Sequence, residues 1–319
     1  MDMTYASAAQ YLRGQDDFLI LTHKNPDGDT VGCAVALCLA LRDLGKRAQI
    51  LENPGFTARY APYLEGLCTE KPSSPACIVA VDIADEKLFP KPALAYCSQV
   101  AFAVDHHASH RNYAERALVD AGAAACGELV YRLILALGVR LRPQLAQALY
   151  IAISTDTSCF LNANTTPETH RIAAELMSAE IDFEEIHREF FVVKSKARLT
   201  IESKLIEGMH FYQGGRVAVM RVTRDLLRGT GATEDDLDNI SALARAVEGV
   251  DLGILIRELS DGRSKLSMRS SSAVDVAKLC ERFGGGGHVR AAGCTIDAPP
   301  EQAEERVCAV IESIGIFSE

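Results

Sequence analysis

The residues in this chain best suited to chemistry are acids and histidines that follow apolar runs. Residues 101–110 read AFAVDHHASH, an apolar run that ends in Asp105, His106 and His107. DDFLILT leads into His23-Lys24-Asn25-Pro26-Asp27-Gly28-Asp29, where Pro26 and Gly28 predict a turn that presents His23, Asp27 and Asp29 from a loop. ACIVAVD closes on Asp82, and LYIAISTDT carries Asp156 after another apolar stretch. Each has an ordinary alternative, since an Asp-Gly pair makes a turn and an acid after a strand often caps the next helix. Three of the apolar segments nevertheless read as parallel strands, and the carboxyl ends of such strands form the ligand-binding edge of an open α/β sheet. Carboxylates and imidazoles without thiolates suit Mn²⁺ or Mg²⁺ rather than a structural zinc. Asp27, Asp29, Asp82 and Asp156 gathered together would raise one another's pKa values. Two divalent cations would neutralise them, and such a pair serves phosphoester hydrolysis by generating hydroxide and clamping the phosphoryl group.

The elements that must position these residues are legible as a fold class. The first half alternates short apolar runs rich in Val and Ala with helical patterns such as TVGCAVALCLALRDLG, in which Gly45 suits the residue just past the helix end. Helices are also predicted over GELVYRLILALG, from Pro143, and from Pro167. The second half reads as strands RVAVMRVT, DLGILIREL and SKLSMRS, the last two joined at Asp261-Gly262, a hairpin signal. A polar helix is predicted over GATEDDLDNISALARAVEG, followed by helices in VDVAKLCERF and PPEQAEERVCAVIESIG. The expected class is α/β. A mostly parallel N-terminal sheet flanked by helices forms a catalytic domain over residues 1–190. A helical linker spans 191–210, a smaller α/β domain spans 211–319, and an active-site cleft is expected between the two domains.

Composition narrows the function classes. The chain has 319 residues, 48% hydrophobic and 24% charged, with a formal net charge of −10, which argues against a platform for duplex DNA but not against a short anionic substrate in a local basic pocket. No apolar stretch is long enough to span a bilayer, and the N-terminal residues lack the basic and apolar regions of a signal peptide. Ten scattered cysteines without a CxxC pair fit a reduced, cytoplasmic compartment.

HKNPDGDTVGC, VAVD, DHH and STDTSCF occur in the order of the four motifs of the DHH phosphoesterase family, and KLSMRS with GGGGHVRAAG resembles the family's associated C-terminal substrate domain. Nearly the whole chain takes part, and its length is similar to the branch that degrades very short RNAs and dephosphorylates 3′-phosphoadenosine 5′-phosphate (pAp). The resemblance implies one metal held by His23, Asp27 and Asp82, and a second held by Asp29, Asp82, His106 and Asp156, with Asp82 bridging. It implies that Asp105 orients a histidine from behind, and that His107 meets the substrate phosphate. Cys33 stands where the family commonly has Ser, and Ser158 where it commonly has Gly; neither change removes a ligand.

In the second half, alternation along a strand puts Lys265, Ser267 and Arg269 on one face, a plausible edge for reading phosphate, with a solvated strand face as the plain alternative. Gly284 suffices to end the preceding helix, so Gly285, Gly286 and Gly287 with His288 read as a loop whose N–H groups approach an anion. The expected protein is a manganese-dependent phosphodiesterase and phosphatase, with Mg²⁺ as the other candidate ion. It would act on short single-stranded RNA, dinucleotides or pAp. The other readings are a cyclic or linear dinucleotide phosphodiesterase and a non-catalytic nucleotide-binding module. No membrane partner is expected, and a homodimer is compatible with the family.

Overall fold

Alternate residues of the first strands bury on opposite faces of one sheet, which is why these runs carry no polar side. The computed structural model describes residues 3–72, 74–233, 235–237, 240–271 and 274–317. The described residues up to Val193 form one compact unit and those from Lys194 a second. The first unit runs α1 (Tyr5–Arg13), β1 (Phe18–Leu21), α2 (Gly28–Asp43), β2 (Ala48–Leu51), α3 (Ala61–Leu64), β3 (Cys68–Thr69), β4 (Cys77–Val81), β5 (Val100–Asp105), β6 (Arg116–Val119), α4 (Cys126–Ala136), α5 (Pro143–Asp156), α6 (Pro167–Met177) and α7 (Phe183–His187). Its six strands are all parallel, in the order β3-β2-β1-β4-β5-β6. Strand order therefore reverses between β1 and β4, and the connections leaving their carboxyl ends diverge to open a crevice.

Phe18, Ile20, Val79, Val81, Phe102 and Val104 pack under α1, α2, α4 and α5. Leu19, Leu21, Ile78, Ala80 and Ala103 pack on the opposite face with Ile83, Phe89 and Ala93. Fully burying a side chain such as Phe102 contributes on the order of 1.5–3 kcal/mol. Helix α2 is apolar nearly all round because it lies between the sheet and a second layer of helices; Gly28 and Gly32 set that contact. A Cβ on Gly28 would lie 2.2 Å from the Thr155 hydroxyl, and one on Gly32 would lie 2.3 Å from the Ala148 carbonyl oxygen. The two glycines let α2 and α5 approach closely enough to bring Asp29 and Asp156 to one place.

The second unit contains α8 (Lys196–Glu207), β7 (His210–Tyr212), β8 (Val217–Val222), α9 (Arg224–Thr230), β9 (Leu252–Glu258), β10 (Ser264–Ser270), α10 (Val276–Glu281), β11 (Gly286–His288), β12 (Ala291–Ile296) and α11 (Pro300–Ser313). Its sheet has the order β11-β12-β10-β9-β8-β7 and is antiparallel except between β8 and β9. Gly262 has φ 81° in the turn joining β9 to β10, as the Asp-Gly signal requires. Ile201 and Leu205 of α8 pack on this sheet, so most of the expected helical linker over 191–210 belongs to the second unit's core.

A further expectation fails. Where a polar helix is predicted after Gly231, the described residues form single 3-10 turns at Asp235–Leu237, Ile240–Ala242 and Ala244–Ala246. Leu237, Ile240 and Ala244 are buried on the sheet by these turns. Asp236 hydrogen-bonds the Thr233 N–H and hydroxyl, the local competition that disfavours helix at Asp- and Ser-rich stretches. Glu234, Asp238 and Asn239 of that stretch lie outside the described residues. Among the described residues no helix is long and apolar enough to cross a membrane, and all ten cysteines are free thiols.

Gly32→Ala must push the Ala148 backbone away, so it should lower the free energy of urea unfolding by about 1–3 kcal/mol. Gly286→Ala meets no atom within 4 Å and should change it by less than about 0.5 kcal/mol.

Candidate metal centre

The loop after β1 is held rigid before it reaches any ligand. Asn53 at the end of β2 donates to the Thr22 hydroxyl and the His23 carbonyl at 2.9 Å, while the Lys24 N–H donates to Leu88 O. Asp27 caps α2, its Oδ1 accepting from the N–H groups of Asp29 and Thr30 at 3.1 Å. The plain reading of Asp27 as a helix cap is therefore true, and it does not compete with a site role because a carboxylate has lone pairs to spare. Asp29, in the first turn of α2, accepts from the Cys126 and Gly127 N–H groups at 2.7 and 2.9 Å. The N-terminus of α4 thus offsets a buried negative charge. The Cys33 thiol also donates to Asp29 at 3.3 Å, doing what the hydroxyl of a serine would do there.

Asp82 does not cap a helix. It follows β4 with φ 57°, a left-handed conformation that is strained for Asp, and its N–H is tied to Val104 O. Asp156 is the last residue of α5, where the helix dipole disfavours an acid. Ser158, at the departure from the family pattern, has φ 49°, a backbone that suits the glycine it replaces.

The strand and helix ends bring the six expected ligands together. His23 Nε2 lies 3.5 Å from Asp27 Oδ1 and 3.6 Å from Asp82 Oδ2. His106 Nε2 lies 3.7 Å from Asp82 Oδ1 and 3.8 Å from both Asp29 Oδ2 and Asp156 Oδ2. These separations are too long for hydrogen bonds and suit atoms sharing an ion at about 2.0–2.1 Å each. Three overlapping groups result, His23-Asp27-Asp82, Asp29-His106-Asp156 and Asp82-His106-His107; Asp82 turns Oδ2 toward His23 and Oδ1 toward His106 and His107, with His107 Nδ1 at 3.6 Å. Asp82 Oδ1 is buried without any hydrogen-bond partner. An orphaned carboxylate oxygen in a polar crevice is what a divalent ion would satisfy, and the oxygen-rich donor set fits one.

Electrostatics agree. Burial, then the charges of neighbouring acids, pushes the Asp29 and Asp82 carboxyls well above the usual carboxylate range, and burial also raises Asp156. Asp105 goes the other way. Burial alone would raise it, but hydrogen bonds from His107 and His110 hold it far below the ordinary value, and Asp105 in turn raises His107.

Asp105 is the hub behind the site. Its Oδ1 accepts from the His106 N–H at 2.8 Å, the His107 N–H at 3.3 Å and His107 Nδ1 at 2.7 Å, and its Oδ2 from His110 Nδ1 at 2.7 Å. His106 is anchored separately, with Nδ1 3.3 Å from Ala123 O. Sequence reading missed His110, whose signal is its spacing three residues after His107. A tight turn closed by the His110 N–H on the His107 carbonyl brings both rings round to one carboxylate. It also missed Asn164, which bonds Ala124 O at 2.8 Å and lies 3.5 Å from Asp156 Oδ2.

In the second unit, Lys265, Ser267 and Arg269 do share the more open face of β10, while Leu266 and Met268 are buried. Register places Arg269, Ala291 and His288 in one row, and Ser267, Gly293 and Gly286 in the next. The glycines divide by role. A Cβ on Gly285 would lie 2.2 Å from Gly293 O, and one on Gly287 would lie 2.6 Å from Ala291 O, so both are needed for β11 to approach β12. Gly286 has open space, and packing does not explain it. The stretch is therefore a strand edge beside a cation row rather than a free loop.

Comparison with known proteins agrees with this geometry. Residues 17–153 match the N-terminal domain of the DHH family, and residues 214–315 match the DHHA1 domain. The chain is 34% identical to the bifunctional oligoribonuclease and PAP phosphatase NrnA of Thermus thermophilus, covering 90% of this chain and 87% of that one. It is 24% identical to the Bacillus subtilis protein of the same name, covering 94% and 95%. An exopolyphosphatase-related protein from Bacteroides fragilis has the same fold, with a TM-score of 0.87 at 21% identity over 97% of both chains.

Because the carboxyls of Asp29 and Asp82 are raised, the metal-free folded protein holds protons that the unfolded chain has released. That stabilisation is complete below about pH 4 and is lost as pH rises through the raised values. Metal-free Asp82→Asn should therefore unfold at higher urea than the unaltered protein at pH 7, with the gap closing toward pH 4. Saturating divalent metal should reverse the order at pH 7. Equal midpoints at pH 7 without metal would contradict the electrostatic picture.

Proposed function

Because the chain belongs to the DHH family and carries a DHHA1 domain, we propose that it is a phosphoesterase that hydrolyses short oligoribonucleotides and pAp to mononucleotides. The observation that carries the reading is Asp82, a strained, buried acid with one oxygen toward His23 and the other, unpartnered, toward His106. In this reading His23, Asp27 and Asp82 hold one divalent ion, and Asp29, Asp82, His106 and Asp156 hold the other, with Mn²⁺ the preferred occupant and Mg²⁺ the alternative. When bound, such ions lower the pKa of water and neutralise charge on the transferring phosphoryl group. The chain's own residues do the rest. Asn53 and the N-terminus of α4 keep the ligands in place, while Asp105 fixes the His107 ring toward the substrate phosphate as a hydrogen-bond donor.

Specificity in this reading belongs to the second unit. Arg269 and His288, with Lys265 nearby, grip a terminal phosphate. Gly286 and Ser267 leave room for the nucleotide beside them. Relatives that carry both an oligoribonuclease and a PAP phosphatase name support these two substrates, and pAp or an end-phosphorylated oligonucleotide offers a terminal phosphate that such a row can hold.

The decisive experiment is a panel of dinucleotides, pAp, linear and cyclic dinucleotides and longer single strands, assayed with Mn²⁺ and with Mg²⁺. Dinucleotides and pAp should turn over fastest, chelation should abolish turnover, and Asp82→Ala should lose both bound ions and the activity. A preference for a cyclic dinucleotide would sink the assignment of substrate. Arg269→Ala or His288→Ala should lower kcat/KM on pAp by roughly tenfold to a hundredfold with metal content unchanged. The loss should be smaller on bis-p-nitrophenyl phosphate, which has no terminal phosphate to grip.

A further inference from the structure

Asp105 is fully buried, so no solvent completes its hydrogen bonding. Three donors converge on Oδ1, and two of them are the backbone N–H groups of His106 and His107. Oδ2 has one donor, Nδ1 of His110. An ionised carboxylate only accepts, so the proton of each imidazole bond must lie on Nδ1. His110 is buried too, and its Nε2 has no partner. A core histidine held only for packing has no reason to bury one nitrogen unsatisfied while aiming the other at a carboxylate. With the proton on Nδ1, Nε2 is an unused acceptor rather than an orphaned donor, and the latter is the rarer arrangement in folded proteins.

We propose that His110 is a positioning residue for the phosphoester reaction, acting through Asp105 on the ring of His107. Without the His110 donor, Oδ2 is a buried anionic oxygen with no hydrogen bond, and the carboxylate turns to share the donors of Oδ1. Two of those donors are fixed backbone. The third, the His107 ring, is the movable one, so the disturbance falls on His107. His106 is spared because Ala123 O anchors its ring independently. The Tyr113 ring, 5.3 Å from that of His110, closes the other side, and Tyr113 is itself tied to Ile83 O at 2.8 Å. Removing His110 should therefore impair turnover while leaving bound metal alone. The inference rests on the reading of His107 as the group that meets substrate.

The test uses the full chain loaded with Mn²⁺ and bis-p-nitrophenyl phosphate as substrate, with ¹⁵N imidazole spectra recorded on the protein loaded with diamagnetic Mg²⁺. His110→Leu should lower kcat by roughly tenfold to a hundredfold, with KM and metal content unchanged. His110→Asn, whose amide can donate to Oδ2, should recover most of that loss. In a His107→Ala background His110→Leu should cost less than about threefold more, since the two act as one unit. The spectra should show both rings protonated on Nδ1 and the His107 signals displaced in His110→Leu. Loss of metal, an equal loss in both backgrounds, no loss at all, or a proton on Nε2 of His110 would overturn the proposal. If His107→Ala itself has no effect, the reading of His107 falls and the inference with it. Dependence on His107 with none on His110 removes the inference alone. If His110→Leu does not fold, the spectrum of the unaltered protein and the His110→Asn rates decide.

Discussion

Acidic side chains gathered around two buried carboxyls, Asp29 and Asp82, are the constraint on which the first unit depends. Asp29 and Asp82 are almost entirely buried, and Asp27 and Asp156 stand beside them. An arrangement of this kind is unfavourable by itself, because like charges repel most strongly where the dielectric is low. Much of the local architecture offsets it. The N-terminus of α4 donates two N–H groups to Asp29, Asp27 takes two from its own helix, and the His23 and His106 rings sit between the acids. Asp82 Oδ1 is left unsatisfied, and that residual need couples the fold to a divalent ion.

Holding the acids there is a matter of close backbone approach more than of side-chain bonds. The ligands come from the ends of three parallel strands and two helices, so small errors in helix position would separate them. Gly28 and Gly32 allow α2 to press on α5, and Gly127 at the start of α4 lies where a Cβ would meet Ala152 at 2.8 Å. Three helices that meet through glycine and alanine have little freedom to slide. Their rigidity keeps Asp29 and Asp156 against the same imidazole.

The second unit is built differently, with Arg269 partly buried and His288 exposed on one sheet face. Its cations stand on a sheet face whose neighbouring positions are Ala291, Gly293 and Gly286. Small residues there keep the face low and open, so Arg269 and His288 can be reached. Two of its glycines serve the pairing of β11 with β12, whereas packing does not account for Gly286.

Much of this was legible in the residues. Apolar runs ending in Asp82 and Asp105, helical periodicity after Asp29, the Asp-Gly hairpin and the alternation in SKLSMRS are local signals, and local signals survive translation into structure because they depend on neighbours in the chain. The order of the four motifs further identified the family and implied a ligand set. The stretch after Gly231 misled because its spacing of apolar residues fits a helix, whereas contact with the sheet and bonding of Asp236 to Thr233 favour separate turns. Other features depend on distance in space and had no local trace. These are the reversal of strand order beside β1, the strained backbone of Asp82 with its oxygens turned to different histidines, and the close approach at Gly32. The pairing that turns Gly285 and Gly287 into strand contacts belongs with them. The sharing of Asp105 by His107 and His110 did leave a local trace, the three-residue spacing of the two histidines. The amino-acid types determined which chemistry the chain could perform; only the tertiary structure decided which atoms face one another, because burial and backbone approach are set by partners far apart in sequence.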